Sequence, residues 1–280
     1  GLFEPIWNRN FIDHVQIDVP ETLGLGQRSG FYEQTGAYRD MVVTHLFQIL
    51  AFMAMEPPTA LEPQPISEEK NKVFRSMLPI QPTDVVRGQY NGYRQEPGVD
   101  AESETETFIA LKCFIDNWRW AGVPFFLRTG KRMHQRQSEI IIEFSEPPFS
   151  IFAGEPSQSH PNRLIITLQP EESIQLQMMA KEPGSGMKMR PVFLNLDLQS
   201  AFTERRAEAY ERLLIDVIKG RLTHFMRRDE LEAAWTWVEP ILDGWKNLNE
   251  KPKAYTAGSW GPAASSALMA REGSAWVEES

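Results

Sequence analysis

"VPFFLRTGKRMHQRQSEIIIEF", Val123 to Phe144, sets two strand-like runs on either side of a basic connection. The first run is apolar and aromatic up to its Thr-Gly step, and the second holds three consecutive isoleucines, so each reads as a short β-strand. The same pattern continues outward. "VVRGQYNGYR", "TFIALKCFI", "NRLIITLQ", "SIQLQMMA" and "FLNLDLQ" fall between Val85 and Phe202, separated by Pro, Gly, Ser and Asn turns. Consecutive strands with short connections predict a large, mostly antiparallel sheet, because parallel neighbours would need long crossovers between them.

Upstream, "FIDHVQIDV" alternates Phe11, Asp13, Val15, Ile17 and Val19 against Ile12, His14, Gln16 and Asp18, which predicts one more strand. A glycine-bearing loop, Glu21 to Gly36, leads into "AYRDMVVTHLFQILAFMAMEPP", Ala37 to Pro58. At helical period this stretch aligns Tyr38, Met41, Val42, His45, Leu46, Ile49, Leu50 and Met53 as a core-facing stripe. The helix should stop near Glu56, since Pro57 and Pro58 cannot continue it. "PPTALEPQPIS" reads as an ordered surface loop and Ser67 to Leu78 as a short helix.

Two helices follow the strands. Glu204 to Lys219 should bury Ala207, Tyr210, Leu213, Leu214, Val217 and Ile218. Asp229 to Trp245 should align Leu231, Ala234, Trp235, Val238, Ile241, Leu242 and Trp245, with Pro240 either bending or interrupting it. The aromatics of the tail, Tyr255, Trp260 and Trp276, predict a segment that docks. The expected fold class is α+β: a large, mostly antiparallel sheet with helices packed on one side, in one domain spanning residues 1–280.

Composition narrows the function classes. The 280 residues carry a formal charge of −9, so the overall field disfavours nucleic acid and anionic membranes, and any anion must be held by a local basic cluster. The single cysteine, Cys113, permits no internal disulfide and fits a reducing compartment; with no long apolar span and no signal-peptide layout, the expected location is cytoplasmic. The chain lacks an initiator methionine, and it reads as a fragment of something longer. No GxGxxG or GxxxxGK[ST] phosphate motif and no GxSxG elbow occurs. His14, His45, His134, His160 and His224 show no HExxH or HxH spacing, so no metal is expected.

Three features carry possible chemistry. His45 sits on an apolar helical stripe, where histidines are more often packed than catalytic, yet an imidazole with an ordinary pKa of about 6.5 can accept a hydroxyl proton at neutral pH. Asp40 precedes it by five residues, about 140° away around an ideal α-helix, too far round to orient the ring. Glu21 ends the first strand, where a carboxylate is either a solvated loop acid or an acceptor for sugar hydroxyls. Arg128, Lys131, Arg132 and Arg136 cluster at a glycine-containing strand end, which suits a sugar phosphate if it is more than an inert surface patch.

The runs "EPIWNRNFIDHVQIDVPETLG", "GFYEQTGAYRDMVVTH", "AMEPP", "VVRGQY", "GVPFFLRTGKRM", "EAYERLL" and "YTAGSWGP" resemble, in order, the C-terminal domain of the glucose-6-phosphate dehydrogenase family. The resemblance implies oxidation of glucose 6-phosphate at C1 to the lactone, with the hydride passing to NADP+ or, in some members, NAD+. It implies His45 as general base, Glu21 and Asp40 as acceptors for sugar hydroxyls, Lys131 as a substrate-binding lysine and, on a less regular match, Arg136 as a second basic ligand. Family members place a Rossmann coenzyme domain before these motifs. It is absent here, so the resemblance implies a substrate-binding and oligomerisation domain that pairs with an N-terminal coenzyme domain, forms a homodimer or homotetramer, and is inactive alone. The competing reading is a non-catalytic dimerisation or regulatory module derived from such an enzyme. A dehydrogenase for another sugar phosphate is a further alternative.

Overall fold

The computed structural model describes residues 1–149, 160–184, 186–198, 209–223, 225–248 and 250–278. Phe202, Glu204, Ala207 and His224, all named above, lie outside the described residues. Nine strands form one sheet in the order β8-β7-β6-β5-β1-β4-β3-β2-β9. They are β1 (Ile12–Pro20), β2 (Val85–Tyr90), β3 (Phe108–Phe114), β4 (Pro124–Gly130), β5 (Ser138–Phe144), β6 (Arg163–Gln169), β7 (Ser173–Lys181), β8 (Met189–Asp197) and β9 (Lys253–Tyr255). Adjacent strands are antiparallel except β1 beside β4 and β2 beside β9. The mostly antiparallel sheet therefore stands, and its one parallel pair at the centre proves decisive for the site.

β1 is buried along nearly its whole length, on both faces. One face carries Val15 and Ile17 beside Phe125 and Leu127 of β4 and Ile140 and Ile142 of β5, an apolar surface covered by helices. At its edge the Trp120 indole donates to the Ala54 carbonyl, 2.8 Å, tying a helix end to the strands. The other face carries His14, Gln16 and Asp18 beside Phe126 and Arg128. The alternation of β1 thus holds, but its polar side is not the solvated side such alternation usually marks. The docked tail covers it: Trp276 stacks edge-on against Phe126, and Val277 N–H donates to Gln16 Oε1, 3.0 Å.

On that polar face Arg128 is fully buried. Its guanidinium bonds both carboxylate oxygens of Asp18, reaches Glu278 at 2.9 Å, and lies 4.3 Å from the Trp276 ring centroid. Burial works against the charge, but Asp18 and Glu278 outweigh it and raise the Arg128 pKa. Of the four clustered basic residues, Arg128 therefore belongs to the interior.

The opening helices depart most from expectation. Residues 29–36, read as loop, belong to α1 (Ser29–Ala37), which breaks at Gly36 with φ 65°. The next nine residues, Tyr38–Leu46, form a π-helix, and α2 (Phe47–Ala54) continues from it. The wider π turn buries Tyr38, Val42, Val43 and Leu46 and leaves Thr44 and His45 exposed. His45 is accordingly not part of the core stripe: the stripe was drawn at 3.6 residues per turn, and the chain here does not keep that period. α3 (Pro63–Ser76) begins four residues before the expected Ser67, with proline in its first turn, where the missing N–H costs nothing.

α4 (Ala209–Ile218) also corrects the reading. Tyr210, Leu214, Val217 and Ile218 are exposed rather than buried, because no layer of the described chain covers them. α5 (Arg228–Leu248) runs through Pro240 and buries Ala234, Val238, Ile241 and Trp245 as expected, while Leu231 is exposed. α6 (Ala263–Ala270) packs against β2 and β3. Among the described residues no helix is long and apolar enough to cross a membrane.

Candidate functional site

The parallel pair β1/β4 brings the site together. Its register ends with Pro20 opposite Gly130, so the next residues, Glu21 and Lys131, leave neighbouring strand ends side by side. Main-chain bonds fix both exits. Glu21 N–H donates to Gly130 O (2.9 Å), Met133 N–H returns to Glu21 O (2.9 Å), and Lys131 N–H donates to Thr107 O (2.9 Å). The Tyr255 hydroxyl donates to Lys131 O at 2.7 Å. Lys131 Nζ then pairs with Glu21 Oε2 at 2.7 Å across 110 residues of sequence.

A cleft of about 620 Å³ opens over this pair, and Asp40 reaches it from the π-helix. Glu21, Asp40 and Lys131 thus share one space, which sequence alone could only allow. Arg132 also lines it; its backbone takes φ 52°, its guanidinium bonds Glu96 at 3.1 Å, and the chain passes it closely because Gly24 has no side chain. A Cβ at Gly24 would stand 2.7 Å from Arg132 Nε. Tyr32 completes the floor beneath Lys131, whose ammonium lies 5.1 Å from the tyrosine ring centroid. Sequence reading counted Arg132 only as one of the basic cluster, without a role of its own, and passed over Tyr32 altogether. The signal for Tyr32 was its place in "GFYEQTGAYRD", but the helical character of that stretch, interrupted at Gly36, has no clear periodicity.

The π-helix alters the relation of Asp40 to His45. Its hydrogen bonds join residue i to i+5 and its turn is wider than an α-helical one, so residues five apart come round toward the same side, and Asp40 and His45 do so here. The 140° separation expected for an α-helix does not apply. His45 does not line the 620 Å³ cleft; it stands exposed one turn further along. Arg136 is also outside the lining, in the connection between β4 and β5.

Glu106 holds the start of this helix. Its carboxylate accepts the Tyr38 N–H at 3.0 Å and its carbonyl accepts the Ala37 N–H at 2.9 Å, satisfying donors that a helix start leaves open. Glu106 fits only because residue 36 is glycine: a Cβ there would lie 2.3 Å from Glu106 Oε1. Burial pushes the Glu106 pKa up, and the Tyr38 N–H offsets this only partly.

Asp13, His14 and Glu143 are the one group among the described residues close enough to hold a cation. Gln16 decides against that use. Its amide is oriented by two main-chain partners, Nε2 donating to Ala275 O and Oε1 accepting from Val277, so Nε2 also donates to His14 Nε2. The His14 proton is then on Nδ1, where it donates to Asp13 at 2.8 Å, while Glu143 pairs with Arg163 at 2.7 Å. The nitrogen facing the carboxylates has no lone pair to offer a metal.

Residues 1–277 match the family described as glucose-6-phosphate dehydrogenase, C-terminal domain. The glucose-6-phosphate 1-dehydrogenase of Mycolicibacterium smegmatis is 50% identical over 287 residues, taking in 98% of this chain and 58% of the relative. That of Zymomonas mobilis is 48% identical, over 99% of this chain and 61% of its own length. The crystal structure of glucose-6-phosphate 1-dehydrogenase from Mycobacterium avium superposes with a TM-score of 0.89 at 36% identity, over 100% of this chain and 59% of that one. A glucose-6-phosphate dehydrogenase solved in complex with its substrate glucose-6-phosphate gives 0.90 at 31% identity, over 99% and 58%. The chain therefore spans about three fifths of the length of these relatives. In sequence and in fold it belongs to the glucose-6-phosphate dehydrogenase C-terminal domain family.

Proposed function

We propose that this chain is the substrate-binding half of a glucose-6-phosphate dehydrogenase that oxidises the sugar at C1 to 6-phosphoglucono-1,5-lactone. The observation that carries the reading is the convergence of Glu21, Asp40 and Lys131 on one cleft, with His45 presented from the same side of the same π-helix as Asp40. A sugar needs carboxylate acceptors for its hydroxyls and its phosphate needs a cation, and the cleft supplies both. His45 is exposed, as a base must be if a hydroxyl is to reach it. In this reading His45 takes the C1 hydroxyl proton, Glu21 and Asp40 hold ring hydroxyls, and Lys131 exchanges its pairing with Glu21 for the substrate. Arg136 contributes charge from outside the lining.

The hydride leaving C1 would need an acceptor, which bound NADP+ would supply. Among the described residues nothing fits its adenosine and pyrophosphate: the parallel neighbours β1 and β4 are separated in the chain by β2 and β3, and β2 and β9 by six strands, so no βαβ unit is formed by them. We assign coenzyme binding to an N-terminal domain outside these 280 residues. We also assign the exposed apolar side chains Phe193, Leu194 and Leu196 of β8, with Leu214 and Ile218 of α4, to pairing between subunits in a cytoplasmic homo-oligomer.

The test uses the full-length protein that contains this chain. Wild type should reduce NADP+ when given glucose 6-phosphate, and His45→Asn should lower kcat by about 10²–10⁴-fold with a KM within a few-fold. Turnover of galactose 6-phosphate with the higher kcat/KM would replace the sugar assignment. Undiminished kcat in His45→Asn would remove the base.

A further inference from the structure

The Tyr32 hydroxyl is buried and has no hydrogen-bond partner, although Tyr32 lines the cleft that holds Glu21, Asp40 and Lys131. A buried hydroxyl left unmade is costly, and tyrosines that bury their ring normally find a partner for the oxygen. Lys131 lies over the Tyr32 ring and is paired with Glu21, so this ion pair stands directly beside the tyrosine in the cleft.

We infer that Tyr32 is a further substrate-binding residue of this cleft, whose hydroxyl donates to a ring hydroxyl of the sugar phosphate once the substrate parts the Glu21–Lys131 pair. The inference rests on the sugar-phosphate reading above. The chemistry of the lining supports it. Glu21 and Asp40 can only accept, and Lys131 is drawn to anions, so a sugar hydroxyl that gives its proton to a carboxylate leaves its own oxygen open to a neutral donor. Of the neutral donors in the lining, Thr22, Gln27 and Tyr32, it is Tyr32 whose hydroxyl is buried without a partner. Burial first, then the nearby Glu106, Tyr255, Asp40 and Glu21, keep its pKa well above the ordinary phenol value, so the proton is present at any working pH. A polar site of this kind discriminates against analogues that lack the matching hydroxyl, because the protein group is then left unpaired again.

The experiment is Tyr32→Phe in the full-length enzyme, assayed with glucose 6-phosphate and with its 2-, 3- and 4-deoxy analogues, alongside thermal melting of the ligand-free protein. The expected result is a KM for glucose 6-phosphate raised roughly three- to tenfold with kcat little changed. The penalty should vanish for one deoxy analogue, and the melting temperature should be unchanged or higher, since the variant removes an unpaired buried group. A purely structural tyrosine would instead lower the melting temperature and penalise every analogue alike, which overturns the inference. So does an unchanged KM in a variant whose wild type turns over glucose 6-phosphate; in that case the sugar-phosphate reading survives. If wild type itself does not oxidise glucose 6-phosphate, both fall together.

Discussion

An interior strand and an end strand of the sheet use similar sequences to opposite effect. β3, "FIALKCF", is buried along most of its length, whereas β8, "MRPVFLNLD", has Val192, Phe193, Leu194 and Leu196 exposed. Both are runs rich in apolar and aromatic residues. The difference is in what lies above them: helices cover one face of the central strands and the C-terminal segment covers the other, while no described layer covers β8, and α4 is itself exposed. Burial is a property of layers rather than of strands. The covered centre is where Glu21 and Lys131 are wired in place, and the uncovered end is the side we assign to subunit pairing.

The largest effect should come from breaking the covered centre at its buried ion pair. Asp18→Ala leaves Arg128 buried with Glu278 as its remaining carboxylate, and unfolding in urea should show a loss of about 3 kcal/mol. A loss under about 1 kcal/mol would mean that the buried Asp18–Arg128 pair does not hold β1 to β4. Next is Gly36→Ala, which combines a left-handed φ of 65° with a Cβ placed against Glu106. About 2 kcal/mol is expected, together with a lower kcat/KM in the full-length enzyme, because the displaced helix start carries Asp40 and His45. Retained stability and activity would show that Glu106 does not set that helix.

Glu106→Gln should act more gently and in a pH-dependent way. The folded-state pKa of Glu106 is raised, so its protonated form favours folding; that contribution is complete below the ordinary glutamate range near about 4.3 and is lost as pH rises through the raised value. Glutamine does not titrate. The melting temperature of Glu106→Gln should therefore gain on wild type as pH increases from about 4, and a gap that stays flat or moves the other way refutes the assignment. The smallest effect on folding belongs to the uncovered end. Leu194→Glu should change subunit stability by no more than about 0.5 kcal/mol, yet sedimentation should show dissociation of the oligomer. An intact oligomer would place the interface elsewhere.

Much of this was legible in the sequence for identifiable reasons. The strands were, because turn residues bound them on both sides, and the shared ends of β1 and β4 then realised the grouping of Glu21, Asp40 and Lys131 that resemblance to the family implied. The helix from Ala37 was found, but its π character was hidden, since nothing in "YRDMVVTHL" marks a change of hydrogen-bond partner from i+4 to i+5. That hidden change misplaced His45 in the core and moved Asp40 to the wrong side. The polar face of β1 was misjudged for a different reason: His14, Gln16 and Asp18 are covered by Trp276, Val277 and Glu278 from the far end of the chain, and alternation reports only that two faces differ. α4 failed in the reverse sense, its amphipathic pattern being real but no layer of the described residues covering it.

The central claim is that the cleft presents C1 of glucose 6-phosphate for oxidation with His45 as base. Full-length protein given glucose 6-phosphate deuterated at C1 and NADP+ tests it most directly. The account predicts that deuterium appears on the reduced nicotinamide, that the lactone carries none at C1, and that His45→Asn suppresses the transfer. Deuterium retained at C1 of the sugar, or transfer undiminished in the variant, would contradict it.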